Sequence, residues 1–135
     1  MLIPPLSQGY TKMHTDALRN LVAYHLSGSE FAICLQLLRL HAGYGKDEIV
    51  LGESFLCKTT GYHKNRINIS INRLMKKNVI IRTREPWIGH PANYQFNFNF
   101  SQWRSKRFGA PLDDEKETQF QKHAEMCNVG TQYPA

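Results

Sequence analysis

Residues 61–78 hold the side chains whose types and spacing suit a definite chemistry, contact with a polyanion that carries readable edges. At about 100° per residue, Asn65, Ile69, Asn72, Arg73 and Lys76 share one side of a helix, with no carboxylate among them. Asparagine pairs in bidentate fashion with adenine N6 and N7, arginine with guanine O6 and N7, and a branched alkyl group meets the thymine methyl. Asn65, Ile69, Asn72 and Arg73 are therefore expected to read base edges in double-stranded DNA. Other cations hold phosphates, which fixes register without reading sequence. Lys58, Lys64, Arg66, Lys76 and Lys77 are expected in that role, joined by Arg82 and Arg84 from the segment that follows, and Arg73 can serve either purpose.

Other chemistries find no support in the spacing. Cys34, Cys57 and Cys127 are odd in number, far apart and without a C-x-x-C pair, so neither a disulfide framework nor a zinc site is indicated. The six histidines, at positions 14, 25, 41, 63, 90 and 123, are scattered without ligand spacing. Gly43-Tyr44-Gly45-Lys46-Asp47 resembles a phosphate loop, but Leu40 stands where the loop needs glycine and Asp47 where it needs Ser or Thr. The basic region offers Glu53 and Glu85 as its only carboxylates, too sparse for paired acid–base work. The expectation is a protein that is not an enzyme, with no cofactor and no metal.

Charge is localised along the chain. Residues 51–107 hold eleven basic and two acidic side chains, whereas residues 1–50 hold four of each and residues 108–135 hold two basic and five acidic. Between residues 58 and 84 there are eight cations and no acid, the footprint of a surface for a polyanion. No apolar run approaches the ~18 residues that span a bilayer, and the start Met1-Leu2-Ile3-Pro4-Pro5 lacks the regions of a signal peptide. No membrane partner and a cytoplasmic location, in a bacterial host cytoplasm or nucleoid, are expected.

These side chains need elements to position them. Ile67, Ile71 and Leu74 at i, i+4 and i+7 give the expected reading helix its buried stripe. Before it, Glu53 to Thr60 reads as a small helix carrying Phe55 and Leu56 inward, stopped by Gly61, with His63 as the next cap. Residues 31–40 are apolar nearly all round, the mark of a buried helix, with Phe31, Leu35 and Leu38 on one stripe and Cys34, Leu37 and His41 on the adjoining one. A left-handed cap is expected at Gly43-Tyr44-Gly45. A first helix is expected over residues 15–25, with Leu18, Leu21, Val22 and Leu26 inward.

Residues 49–51 and 79–85 read as strands, and Tyr94-Gln95-Phe96-Asn97-Phe98-Asn99-Phe100 as a third in strict alternation, with Tyr94, Phe96, Phe98 and Phe100 on the core. The fold class expected is α+β, mainly α: a winged helix-turn-helix with a C-terminal β-hairpin wing. Residues 1–8 form a lead and 9–104 a winged-helix DNA-binding domain. Residues 105–135 form a tail, partly disordered or a short helix with Phe120, Ala124 and Cys127 on one side.

Three stretches in order carry a resemblance. Gly9-Tyr10-Thr11-Lys12, the apolar helix from Leu26 ending in Tyr44-Gly45, and Thr59-Thr60-Gly61 running through to Val79-Ile80 are similar to the N-terminal DNA-binding domain of the bacteriophage replication protein O family, the lambdoid origin-binding initiators. The resemblance covers roughly residues 9 to 100. It implies a winged-helix fold, origin recognition in DNA replication initiation, binding as a homodimer, and delivery of a host replicative helicase or its loader. Two other functions fit the same residues: a small phage transcriptional regulator with this fold, and a winged helix that docks a protein through its wing. Steep weakening of binding by salt separates nucleic acid from a protein partner.

Overall fold

Ser27 starts the helix on which the other elements pack. Its Oγ accepts a hydrogen bond from the Glu30 amide at 3.3 Å, satisfying one of the free donors of a helix start. The computed structural model of the chain describes residues 9, 11–104 and 114–128. In it α1 spans Thr15–Ala23, α2 Gly28–Tyr44, β1 Ile49–Val50, α3 Glu53–Thr60, α4 Lys64–Lys76, β2 Ile80–Arg84, β3 Asn93–Phe96 and α5 Asp114–Asn128, with one 3-10 turn at Phe100–Gln102. The lead of residues 1–8, the cations Lys106 and Arg107 and the break at Gly109-Ala110-Pro111 lie outside the described residues, as does the side chain of Cys127.

The apolar circumference of α2 is used on several sides. Ile33, Cys34, Leu37, Leu38 and Leu40 are buried, and α2 packs on α3, α4, β1 and β3. Phe31 and Leu35 are half-buried at its margin. Burial pushes the Cys34 thiol up, Glu30 adding to the rise and Lys77 opposing it, so this sulfur is a small hydrophobe rather than a nucleophile. The helix ends at Gly45 with φ +64°, a left-handed residue that costs glycine little.

The sheet is antiparallel in the order β1-β3-β2, with Ile49 opposite Tyr94 and Ile80 opposite Phe96. A bulge falls between Arg82 and Arg84. Helix, strand, helix, helix, strand, strand is the order of a winged helix-turn-helix, with α1 before it and α5 after, so the α+β, mainly helical expectation holds.

Three packing expectations are corrected. β3 ends at Phe96, and the alternation with it: Asn97 is 6% exposed while Phe98 is 36% exposed and Phe100 enters the 3-10 turn. The cause is polar. Asn97 donates to the Asn78 carbonyl at 2.8 Å and to Gln102 Oε1 at 3.2 Å, and its carbonyl accepts from Trp103 Nε1 at 2.9 Å. Those bonds satisfy buried groups that a continued strand would leave open. In α1 the inward residues are Ala17, Asn20 and Leu21, whereas Val22 is 78% exposed. The helix stops at Ala23 because Tyr24 turns extended to set its ring edge-on to Trp103 at 4.9 Å. In α3 only Leu56 is buried and Phe55 lies at the surface, since an eight-residue helix wedged beside α4 has one inward turn.

Candidate nucleic-acid interface

The turn between α3 and α4 is set by backbone chemistry. Gly61 takes φ +78° and its amide donates to the Cys57 carbonyl at 3.0 Å, closing α3. His63 then caps α4, its Nδ1 accepting from the Asn65 amide at 3.3 Å, so the unusual cap residue performs the function of a serine or asparagine. Ile67, Ile71 and Leu74 are buried as the helical period requires, and Ser70 joins them through a 2.6 Å hydroxyl bond to Ser29 of α2. At the far end Asn78 adopts φ +60°, its amide donating to Met75 and that of Val79 to Leu74, both at 3.1 Å. This is a Schellman closure with Leu74 and Val79 as its buried apolar pair, and it fixes the angle at which β2 leaves α4.

The opposite face of α4 is open. Asn65, Ile69, Asn72, Arg73 and Lys76 are all exposed, Ile69 to 46%. Among the described residues, no hydrogen bond or ion pair engages the side chains of Asn65, Asn72, Arg73 or Lys76. Lys58 at the end of α3 and Arg66 near the start of α4 are exposed as well. Lys64 is exposed and lies 3.5 Å from Glu53.

Other predicted side chains are committed within the protein. Lys77 turns back from the helix end to place Nζ 2.6 Å from the carboxylate of Glu30, a side chain 2% exposed, and 3.3 Å from the His25 carbonyl. Its ammonium neutralises a buried charge. Arg82 packs its guanidinium over the Tyr94 ring at 5.3 Å, donates to the Tyr94 hydroxyl at 2.7 and 3.2 Å, and meets Glu85 at 3.3 Å. Partial burial opposes the charge of Arg82, but Tyr94 and Glu85 outweigh it and hold the guanidinium above its ordinary range. Arg84, one register step further, is exposed and lies 5.5 Å over the Trp87 ring.

Between α4 and the hairpin runs a cleft of about 200 Å³, lined by Leu51, Glu53, Asn68, Ile71, Arg82 and Tyr94. Glu53 accepts from the Asn68 amide at 2.8 Å while meeting Lys64, so one carboxylate at the start of α3 orients two α4 side chains. Neither Glu53 nor Asn68 was among the predicted site residues. Their contact crosses 15 positions, and helical periodicity could place Asn68 only on the flank of the face. Among the described residues no group of His, Cys, Asp and Glu could hold a metal ion, and no helix is long and apolar enough to cross a membrane.

Comparison with family descriptions matches residues 4–103 to Bacteriophage replication protein O. No curated protein and no solved structure matches the chain.

Proposed function

The chain belongs to the bacteriophage replication protein O family, which assigns it a role in phage replication, and from that premise we propose that it binds double-stranded DNA at a replication origin. Helix α4 lies in the major groove, with Asn65, Ile69, Asn72 and Arg73 toward base edges. Lys58, Lys64, Arg66 and Lys76 hold the flanking phosphates, and Arg84 holds the backbone or the minor groove from the wing. Lys77 and Arg82 leave the phosphate set and act as internal braces. The protein works in the cytoplasm or nucleoid of the bacterial host, and its protein contacts are a second copy of itself and a host replicative helicase or loader.

The observation that carries this reading is the open face of α4. Its apolar stripe is consumed by the core, its other side keeps amides and cations without intramolecular partners, and no carboxylate stands on that side. A helix kept for solubility alone would mix signs. About five phosphate contacts release enough counterions for a log–log salt slope of roughly −4.5. Binding of the full chain to duplex fragments, titrated between low and physiological salt, reads that slope. A flat profile sinks the proposal, and mapping bound fragments across the phage genome separates an origin from a promoter.

A further inference from the structure

At the edge of the open face of α4, where phosphate disfavours acids, the fold holds a carboxylate in place. Glu53 is the first residue of α3, where the free amides and dipole of a helix start favour negative charge. That start is pinned to the hairpin: the Leu51 amide donates to the Ala92 carbonyl at 3.2 Å, and a Cβ on Gly52 would lie 3.4 Å from the Pro91 ring. Lys64 lies 3.5 Å from Glu53 and offsets its charge. What remains is one directed contact, Asn68 Nδ2 donating to Glu53 Oε2 at 2.8 Å.

A primary amide can face a partner with either end, its oxygen accepting or its nitrogen donating. An ionised carboxylate only accepts, so Glu53 draws Nδ2 to itself and leaves Oδ1 free. Asn68 is exposed, and among the described residues no hydrogen bond engages that oxygen. By helical period Asn68 stands about 60° around the helix from Asn65 and about 40° from Asn72, so it borders their face on the side of the cleft.

Resting on the reading of duplex binding through α4, we infer that Asn68 is a further base-reading residue and that Glu53 is the positioning residue that decides what it reads. With Nδ2 held, Oδ1 meets the base edge as an acceptor and requires an amino group there. In the major groove adenine offers N6 and cytosine N4, whereas guanine and thymine present O6 and O4, and two facing acceptors repel. The position that Asn68 faces therefore carries A or C on the contacted strand. Asn65 and Asn72 differ in kind: no hydrogen bond among the described residues fixes which end of their amides turns to the DNA.

The test uses the full chain and the duplex it selects from a random pool, with each base pair of that site replaced in turn by the other three. Wild type is expected to favour A or C over G or T by roughly fivefold to tenfold at one position on the wing side of the site. With wild-type protein, a base lacking only its exocyclic amino group at that position weakens binding by the same factor; with Asn68→Ala it changes nothing. Glu53→Gln, whose amide donates as well as accepts, lets Asn68 turn over, so the preference at that position is lost and every other is kept. Combining Glu53→Gln with Asn68→Ala gives the profile of Asn68→Ala alone. A merely structural Glu53 would weaken all sequences alike without reordering the bases at any position, and that result overturns the inference. A preference that survives Glu53→Gln but disappears in Asn68→Ala, or an Asn68→Ala profile identical to wild type, overturns it too and leaves duplex binding standing. Failure of the wild-type protein to bind any duplex overturns both.

Discussion

Lys76 and Lys77 are neighbours of identical charge, and geometry gives them different work. Lys76 is exposed at the end of α4, while Lys77 neutralises Glu30 inside the domain at 2.6 Å. Removing one partner of a buried pair strands the other charge, so Lys77→Met is expected to destabilise the fold by about 2–4 kcal/mol in urea denaturation. Adding Glu30→Gln recovers part of that loss, and folded Lys77→Met binds DNA as wild type does. An unchanged denaturation midpoint would show that the pair holds nothing. On the open face, Asn72→Ala is expected to lose about 1–3 kcal/mol on the preferred duplex and little on random sequence. Lys76→Ala weakens both alike and lowers the salt slope by about 1. Equal loss on both duplexes for Asn72→Ala would remove it from the reading set. The open face was legible in the sequence because helical period alone assigns Asn65, Ile69 and Asn72 to one side. The role of Lys77 was not, because its partner lies 47 residues away and it sits where the backbone leaves the helix.

At the scale of elements, α2 and α4 could be read in advance because each has a dense apolar pattern with a cap at either end. β3 could not be read to its end. Its alternating aromatics predict a strand through Phe100, but the carbonyl of Asn78 and the buried carbonyl of Asn97 find donors in Asn97 and Trp103 only if the chain turns at that point. Hydrogen-bond satisfaction outweighed strand pattern there. The same turn separates the two tryptophans, leaving Trp103 6% exposed in the core and Trp87 55% exposed on the wing. Their emission therefore reports two different places. On adding DNA, wild-type emission should fall and its acrylamide-accessible component should shrink, whereas Trp87→Phe should show neither change. A DNA response that persists in Trp87→Phe would place the reporter in the core and remove the wing from the interface. Trp87→Phe is the preferred variant because Trp103 is tied to Asn97 and packs on Tyr24, Phe96 and Phe100.

On the scale of the whole molecule, charge separates a strongly basic part, the one we propose faces DNA, from an acidic part that phosphate would repel. Residues 108–135 carry five acids against two basic residues, and α5 is exposed along residues 115–126, with Phe120 at 64% and Met126 at 75%. Helix α5 meets α1 through Arg19, which donates to both carboxylate oxygens of Glu117 at 2.9 and 3.1 Å. Glu117 is half exposed, so this pair by itself contributes about 1 kcal/mol or less. A helix with an exposed Phe120 stabilises itself poorly alone and gains by laying that face, with Ala124 one turn on, into a groove. We therefore expect truncation after Arg107 to leave affinity for the selected duplex unchanged while removing a protein contact. Sedimentation of the truncated chain reads loss of a homodimer, and a pull-down with the host replicative helicase or its loader reads loss of that contact. A truncated protein that binds DNA as before, still dimerises and still retains the helicase would show that residues 108–135 serve neither contact. One that loses DNA affinity would show instead that the acidic segment braces α1, with Arg19 as the point of attachment.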